Sequence, residues 1–200
     1  SSGTAMFQEP ILYNAQQGAM IIDLSSFMGE KSDYYKGIDA YVKIRMNPEN
    51  LLPRIAETIA YEFVPFEGNH QKFIDQMVYG GKIMILQDAF LPQTPDHLKI
   101  GYNQAQYDWA KGNEANIWNY FVENNLLFSD DQKLHERFMA PGPFSKFYTE
   151  IDNESSPQVG LFSGWQICRK YFAEHPDTKL NDFLRTPATE IFNQSRYKAK

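Results

Sequence analysis

The chain has a single cysteine, Cys168, in 200 residues. A disulfide framework and a thiolate zinc cage each require at least two thiols, so both are excluded and the redox compartment stays open. No apolar run approaches the ~20 residues of a membrane span. Basic charge is short as well: 19 Lys and Arg against 25 Asp and Glu leave a net charge of -6. That balance lacks the basic stripe a phosphate backbone requires and argues against nucleic acid as a partner. Histidine is sparse, and none of His70, His97, His135 and His175 lies four residues from another, so the simplest way to offer two imidazoles to one metal from one helix is missing. There is no internal repeat and no Pro-, Gly- or Ser-rich linker, which predicts one domain over residues 1–200. The opening Ser1-Ser2-Gly3-Thr4 has no initiating Met, basic end or apolar stretch. The expectation is a processed or truncated product whose leader or lipid anchor lies outside this sequence.

Aromatic residues, by contrast, make up 15 % of the chain and hydrophobic residues 42 %, enough for a sizeable core. Helix punctuation recurs. Asn47-Pro48, Thr94-Pro95, Ser156-Pro157 and Thr186-Pro187 each read as a polar cap with proline at the first helical position. Ser129 with Gln132 and Asn103 with Gln106 have the spacing of capping boxes. Apolar residues at three- and four-residue spacing predict helices over 70–90 and 157–174, and over 103–125 with a break at Gly112. The best alternating stretch, Asp39 to Met46, reads equally as strand or helix. The fold class expected is mainly α, a single compact domain of about seven to nine helices. Ala140-Pro141-Gly142-Pro143 and the stretch from Glu150 to Ser156 read as irregular loops, a candidate docking place for a partner.

Nucleophile signatures are missing. Gly160-Leu161-Phe162-Ser163-Gly164 places Ser163 one position off the nucleophile-elbow pattern and in a helical context, as a tight helix contact. Cys168 reads as a buried structural thiol. Gly80-Gly81-Lys82 lacks the earlier glycine of a phosphate loop and marks close helix packing, with Gly81 and Gly164 as the positions where two backbones approach.

Five runs carry a resemblance: Asn69 to Leu91 (NHQKFIDQMVYGGKIMILQDAFL), Asp96 to Tyr102, Glu114 to Leu127 (EANIWNYFVENNLL), Gly164 to Ile167, and Ile191 to Tyr197. Together they resemble the GldB family of gliding-motility lipoproteins of Bacteroidetes, over nearly the whole chain, with the family's N-terminal part absent. That family in turn resembles predicted zinc peptidases with an HExxH helix and a later EGLA helix. With Ala56-Glu57-Thr58-Ile59-Ala60 in the HExxH place, the general-base glutamate is kept as Glu57 and both histidines have become alanine. The alternative frame, Tyr61-Glu62-Phe63-Val64-Pro65, also lacks both, and Pro65 would break the helix. The third ligand's place, in Tyr79-Gly80-Gly81-Lys82-Ile83, falls to Gly80.

The resemblance therefore implies a degenerate zinc-peptidase-like domain without metal or cofactor. It would bind envelope proteins of the motility or secretion apparatus and reach the membrane only through a lipid anchor outside this chain. The expected binding residues are Glu57, Tyr61, Tyr79 and Gly80, on the border of the relic cleft; the alternative role for the two tyrosines is to fill space vacated by zinc and histidines. The competing reading is a metal-dependent hydrolase with non-standard ligands Glu57, Glu62 and His70. A platform of tyrosine and tryptophan for sugars or peptides is a third.

Overall fold

The structure is a computed structural model that describes residues 9–64, 72–150 and 152–199. Among them are ten α-helices and one two-stranded sheet. The hairpin comes first, β1 (Ile11–Asn14) antiparallel to β2 (Ala19–Ile22), its turn closed by Gly18 at φ +60°, a backbone that glycine adopts without steric cost. The helices follow as α1 (Ala40–Lys43), α2 (Leu51–Phe63), α3 (Phe73–Phe90), α4 (Asp96–Ile100), α5 (Gln104–Gly112), α6 (Glu114–Glu123), α7 (Lys133–Phe138), α8 (Val159–Glu174), α9 (Leu180–Arg185) and α10 (Ala188–Ser195). The mainly helical class is as expected. The count is higher because α1 and α4 are helices of about one turn.

Periodicity located α3 and α8, and the break after Gly112 separates α5 from α6. Asn103 and Gln106 form the expected capping box, each side chain accepting the other's backbone N–H. Ser129 and Gln132 do not. The Ser129 hydroxyl accepts from the Asp131 N–H and the Asp131 carboxylate from the Lys133 N–H, two successive side-chain turns that delay α7 until Lys133. Asn47-Pro48 is as expected, with Pro48 first in a 3-10 turn that runs on into α2. The other three prolines sit earlier than first helical positions. Pro95 and Pro187 are extended capping residues before α4 and α10, and left-handed Gln158 separates Pro157 from α8. Asp39–Met46 resolves as α1 and turns.

The core is built on α3 and α8, which run side by side in the same direction. Two ladders of four-residue spacing interlock. The Phe73 ring lies against Gly160, Met77 against Gly164, and Cys168 against Gly81. The approach is backbone to backbone: a Cβ at Gly164 would lie 1.8 Å from the Met77 carbonyl oxygen, and one at Gly81 would lie 2.4 Å from the Gly164 carbonyl oxygen. These are the packing glycines the apolar stripes pointed to. The Cys168 thiol is buried, which pushes its pKa up and makes it a structural group. Ser163 turns its hydroxyl back onto the Val159 carbonyl at 2.9 Å. The Lys82 ammonium donates to the carbonyls of Leu184 and Thr186 at 2.9 and 2.8 Å, closing the C-terminal end of α9 where the helix dipole favours a cation.

A charge network fastens the far end of α3. Arg169 donates to both oxygens of Asp88 and of Asp96, and Lys99 lies 2.8 Å from Asp88 and 3.5 Å from Asp96. The Trp165 indole N–H donates to Asp88 and the Tyr107 hydroxyl to Asp96, while the Arg169 guanidinium stacks 3.9 Å over the Trp165 ring. Four helices, α3, α4, α5 and α8, meet there with two anions against two cations.

Candidate functional site

Helix α2 carries two faces one residue apart. Pro53, Ala56 and Ala60, with Val64 just past the helix end, are buried, while Arg54, Glu57, Thr58 and Tyr61 face a cleft of about 810 Å³. Tyr79 and Gly80 of α3 form the next wall, with His135 of α7, Met139 just after it, Gln158 just before α8 and Leu161 in its first turn. The structure thus brings together all four residues that the sequence singled out, Glu57, Tyr61, Tyr79 and Gly80. The Tyr61 and Tyr79 rings lie 6.5 Å apart, and Tyr61, 52 % exposed, stands at the cleft's side. A Cβ on Gly80 would come within 2.6 Å of the Leu161 Cδ1, so the missing side chain lets Leu161 close in against α3.

Glu57 is ion-paired twice through one oxygen. Its Oε2 accepts from Arg54 at 2.7 Å, three residues back on the same helix, and from Arg45 at 3.1 Å, which comes from the turn after α1. All three side chains are about one-fifth exposed, at 18 to 20 %. Burial alone would raise the Glu57 carboxyl; the charges and hydrogen bonds of Arg45 and Arg54 outweigh it and hold the group below the usual carboxylate range. The Arg45 guanidinium also lies against Gly101, where a Cβ would stand 2.2 Å from its Nε. Gly101 has φ +75° at the end of α4, so both backbone and space call for glycine there.

Sequence reasoning missed Arg45, Arg54, Gln76 and His135. The i, i+3 spacing of Arg54 and Glu57 was a readable signal, whereas Arg45 is twelve positions away and comes close only through the fold. His135, set aside for want of a second histidine four residues away, lines the cleft with its Nδ1 3.1 Å from the Gln76 amide oxygen. Glu62 lines the cleft as an exposed residue, away from the Glu57 ion pair. His70 and Pro65 lie outside the described residues.

A zinc ion does not fit this arrangement. In the frame that the resemblance to zinc peptidases implies, the three ligand places would fall on Ala56, Ala60 and Gly80, which offer no side-chain donor atom, and the first two are buried at 5 % and 0 % exposure. Among the described residues no three His, Cys, Asp or Glu side chains gather as a ligand set. Glu57, ionised and engaged by two guanidiniums, is poorly placed to take a proton from water. What the cleft offers is hydrogen bonding, two aromatic faces and fixed charge.

The ion pair has a pH signature. Glu57→Gln removes the anion between two cations and is expected to lower the thermal midpoint at pH 7 by several degrees. A carboxyl with a depressed folded pKa contributes fully above its unfolded value of about 4.3 and loses that contribution as pH falls through the folded value. The gap between parent and variant therefore closes towards pH 3, as thermal melts across pH 3–7 would show. A gap independent of pH would mean that Glu57 acts by shape alone.

No curated protein and no solved structure matches the chain. The family model of the gliding motility protein GldB matches residues 2–199, nearly the whole sequence and both walls of the cleft. The chain belongs to the GldB family of gliding-motility lipoproteins.

Proposed function

We propose that this GldB-family domain acts by binding, as a metal-free and non-catalytic relative of peptidases that holds envelope proteins of the gliding-motility or secretion apparatus in its cleft. The observation that supports this reading best is the state of Glu57, fixed by Arg45 and Arg54 at 3.1 and 2.7 Å. Hydrolysis with zinc needs a bound water whose pKa the metal lowers and a carboxylate free to take its proton. A carboxylate bonded to two guanidiniums beside two alanines suits neither task. A cleft of about 810 Å³ is of ligand-pocket size. In this reading the tyrosines are its contact surface, since their rings bring large area and a polar tip at little entropic cost.

The irregular segment 140–156 is the competing surface, and several of its described residues are tied by hydrogen bonds. The Asp152 carboxylate accepts the backbone N–H groups of Phe147, Tyr148 and Thr149, and the buried Ser155 hydroxyl bonds Ser145. Its exposed tip is Tyr148. The test pairs metal content with association. After dialysis against excess zinc, elemental analysis is expected to find far less than one zinc per chain and no peptidase activity. One tightly held zinc, lost with an activity on adding chelator, would overturn the reading. In crosslinking of envelope extracts, the folded double variant Tyr61→Ala/Tyr79→Ala is expected to lose partners that Tyr148→Ser retains. The opposite pattern would move the site to the loop.

A further inference from the structure

The hairpin, the first element of the described chain, turns apolar side chains outward. Burial alternates along both strands: Ile11, Tyr13, Met20 and Ile22 are buried or half-buried, whereas Leu12, Asn14, Ala19 and Ile21 are exposed. The register pairs Leu12 with Ile21 and Asn14 with Ala19, so these four share one face. Leu12 is 57 % exposed, Ile21 70 % and Leu24, just beyond β2, 66 %. From Pro10 to Ile22 the sequence carries no charged residue, in a chain of net charge -6. A hairpin with one face on the body of a protein usually presents polar residues on the other.

Size argues against a protein as the partner of this face. Four residues at ~3.3 Å on two strands ~4.8 Å apart cover on the order of 130 Å², against about 800 Å² per partner in a stable interface. A second copy meets the same shortfall, with net charge of the same sign on both sides. A lipid surface asks for no matching shape. The family is one of lipoproteins, and a lipoprotein is anchored at its N-terminal end, the end at which the hairpin lies. Where an anchor already holds a protein at the bilayer, a few apolar side chains suffice to fix its orientation.

We propose that the outer face of the hairpin, Leu12 and Ile21 with Leu24 beside them, rests on the lipid bilayer that carries the anchor and sets how the domain stands on it. Each strand has a partner on one side only, so its other edge keeps backbone N–H and C=O groups that hydrocarbon does not tolerate. The backbone therefore stays among the headgroups, and the apolar side chains reach the boundary with the acyl chains. Ile11, on the opposite face of β1, lines the main cleft, which puts the hairpin between the bilayer and the cleft. The proposal does not depend on what the cleft holds.

The test reads the surroundings of a nitroxide spin label on the face. The 200-residue chain is joined at Ser1 to a diacyl lipid in vesicles of phosphatidylethanolamine and phosphatidylglycerol. It carries the label at Ile21→Cys or, as a solvent-exposed control on α6, at Glu123→Cys. Cys168 is buried and stays unlabelled. Collisions with oxygen, which concentrates in the bilayer, are compared with collisions with a water-soluble nickel complex. The expected result is a several-fold rise of the oxygen-to-nickel ratio at position 21 on tethering and none at position 123. Adding Leu12→Glu, a change at an exposed position, should return position 21 to its untethered value. Leu24→Cys gives the same reading at a second site if Ile21→Cys does not fold. An unchanged ratio at position 21, an equal rise at both positions, or a rise that Leu12→Glu leaves intact each overturns the proposal. Dipolar broadening at position 21 without vesicles would give the face to a second copy and overturns it as well.

Discussion

Gly164→Ala is expected to lower the thermal midpoint by roughly 6–12 °C, taking overpacking at about 3 kcal/mol and ~2–4 °C per kcal/mol for a chain of this size. The added Cβ would lie 1.8 Å from the Met77 carbonyl oxygen and 2.4 Å from its carbonyl carbon. Both atoms belong to the backbone of α3 and cannot rotate away, so the helices must separate along the whole ladder or α8 must shift. Two other glycines calibrate the result. At Gly80 the obstacle is the Leu161 Cδ1, the end of a side chain that can change rotamer, and Gly80→Ala should cost less. At Gly112 nothing lies within 4 Å, so Gly112→Ala should stabilise by about 0.4–1 kcal/mol through the unfolded state. Differential scanning calorimetry of the three variants gives the order. A midpoint for Gly164→Ala equal to the parent's would show that α3 and α8 have room to spare.

The second large effect is expected at the charge network. Asp88→Ala takes away the carboxylate shared by Lys99, Arg169 and the Trp165 indole. Lys99, with 4 % of its side chain exposed, would keep only Asp96 at 3.5 Å. Breaking a fully buried pair costs about 3–5 kcal/mol. Because Asp88 and Arg169 retain 24 % and 31 % exposure, solvent screening places the loss near the lower end, about 2–3 kcal/mol. Acid should act on the same network through Asp96. Burial would raise its carboxyl, but hydrogen bonds from Arg169 and Tyr107, with the charges of Arg169 and Lys99, hold it below the usual range. Its contribution is complete above about pH 4 and fades as pH falls through the lowered value. Urea unfolding should therefore show Asp96→Asn well below the parent at pH 7 and nearer to it at pH 3. A cost for Asp88→Ala below about 0.5 kcal/mol, the scale of an exposed pair, would mean that the network is screened like surface charge.

How much of this could be read from residues depended on range along the chain. The helices α3 and α8 were legible because their apolar residues recur every three or four positions, and the Asn103–Gln106 box because both partners lie in one turn. Gly81 and Gly164 were legible as glycines inside apolar stripes, though not as partners of each other. The hairpin was not. Each strand has four residues, too few for a period of two to emerge, and Leu12 and Ile21 pair on an exposed face, against the usual apolar-in pattern. The charge network joins Asp88 to Arg169 across eighty-one positions, beyond any local rule. In the cleft, Glu57, Tyr61, Tyr79 and Gly80 were placed through the family resemblance. Arg45, which changes what Glu57 can do, carries no local mark because its partner lies in another element.

The interlocked ladders of α3 and α8 also set an order of events in time. Helix α3 is buried over most of its circumference, with Phe73, Ile74, Met77, Val78, Met84 and Leu86 all inside, and such a helix has no face it can keep in water alone. Its main partner begins at Val159, so α3 leaves the ribosome long before α8 exists. At ~5–20 residues per second, the intervening synthesis lasts about 4–16 s. Collapse of the hairpin and α2 onto α3 can hide one side of it meanwhile. The strip around Met77 and Gly81 waits for α8, and during that interval it is the surface to which a holding chaperone would bind and from which aggregation would start.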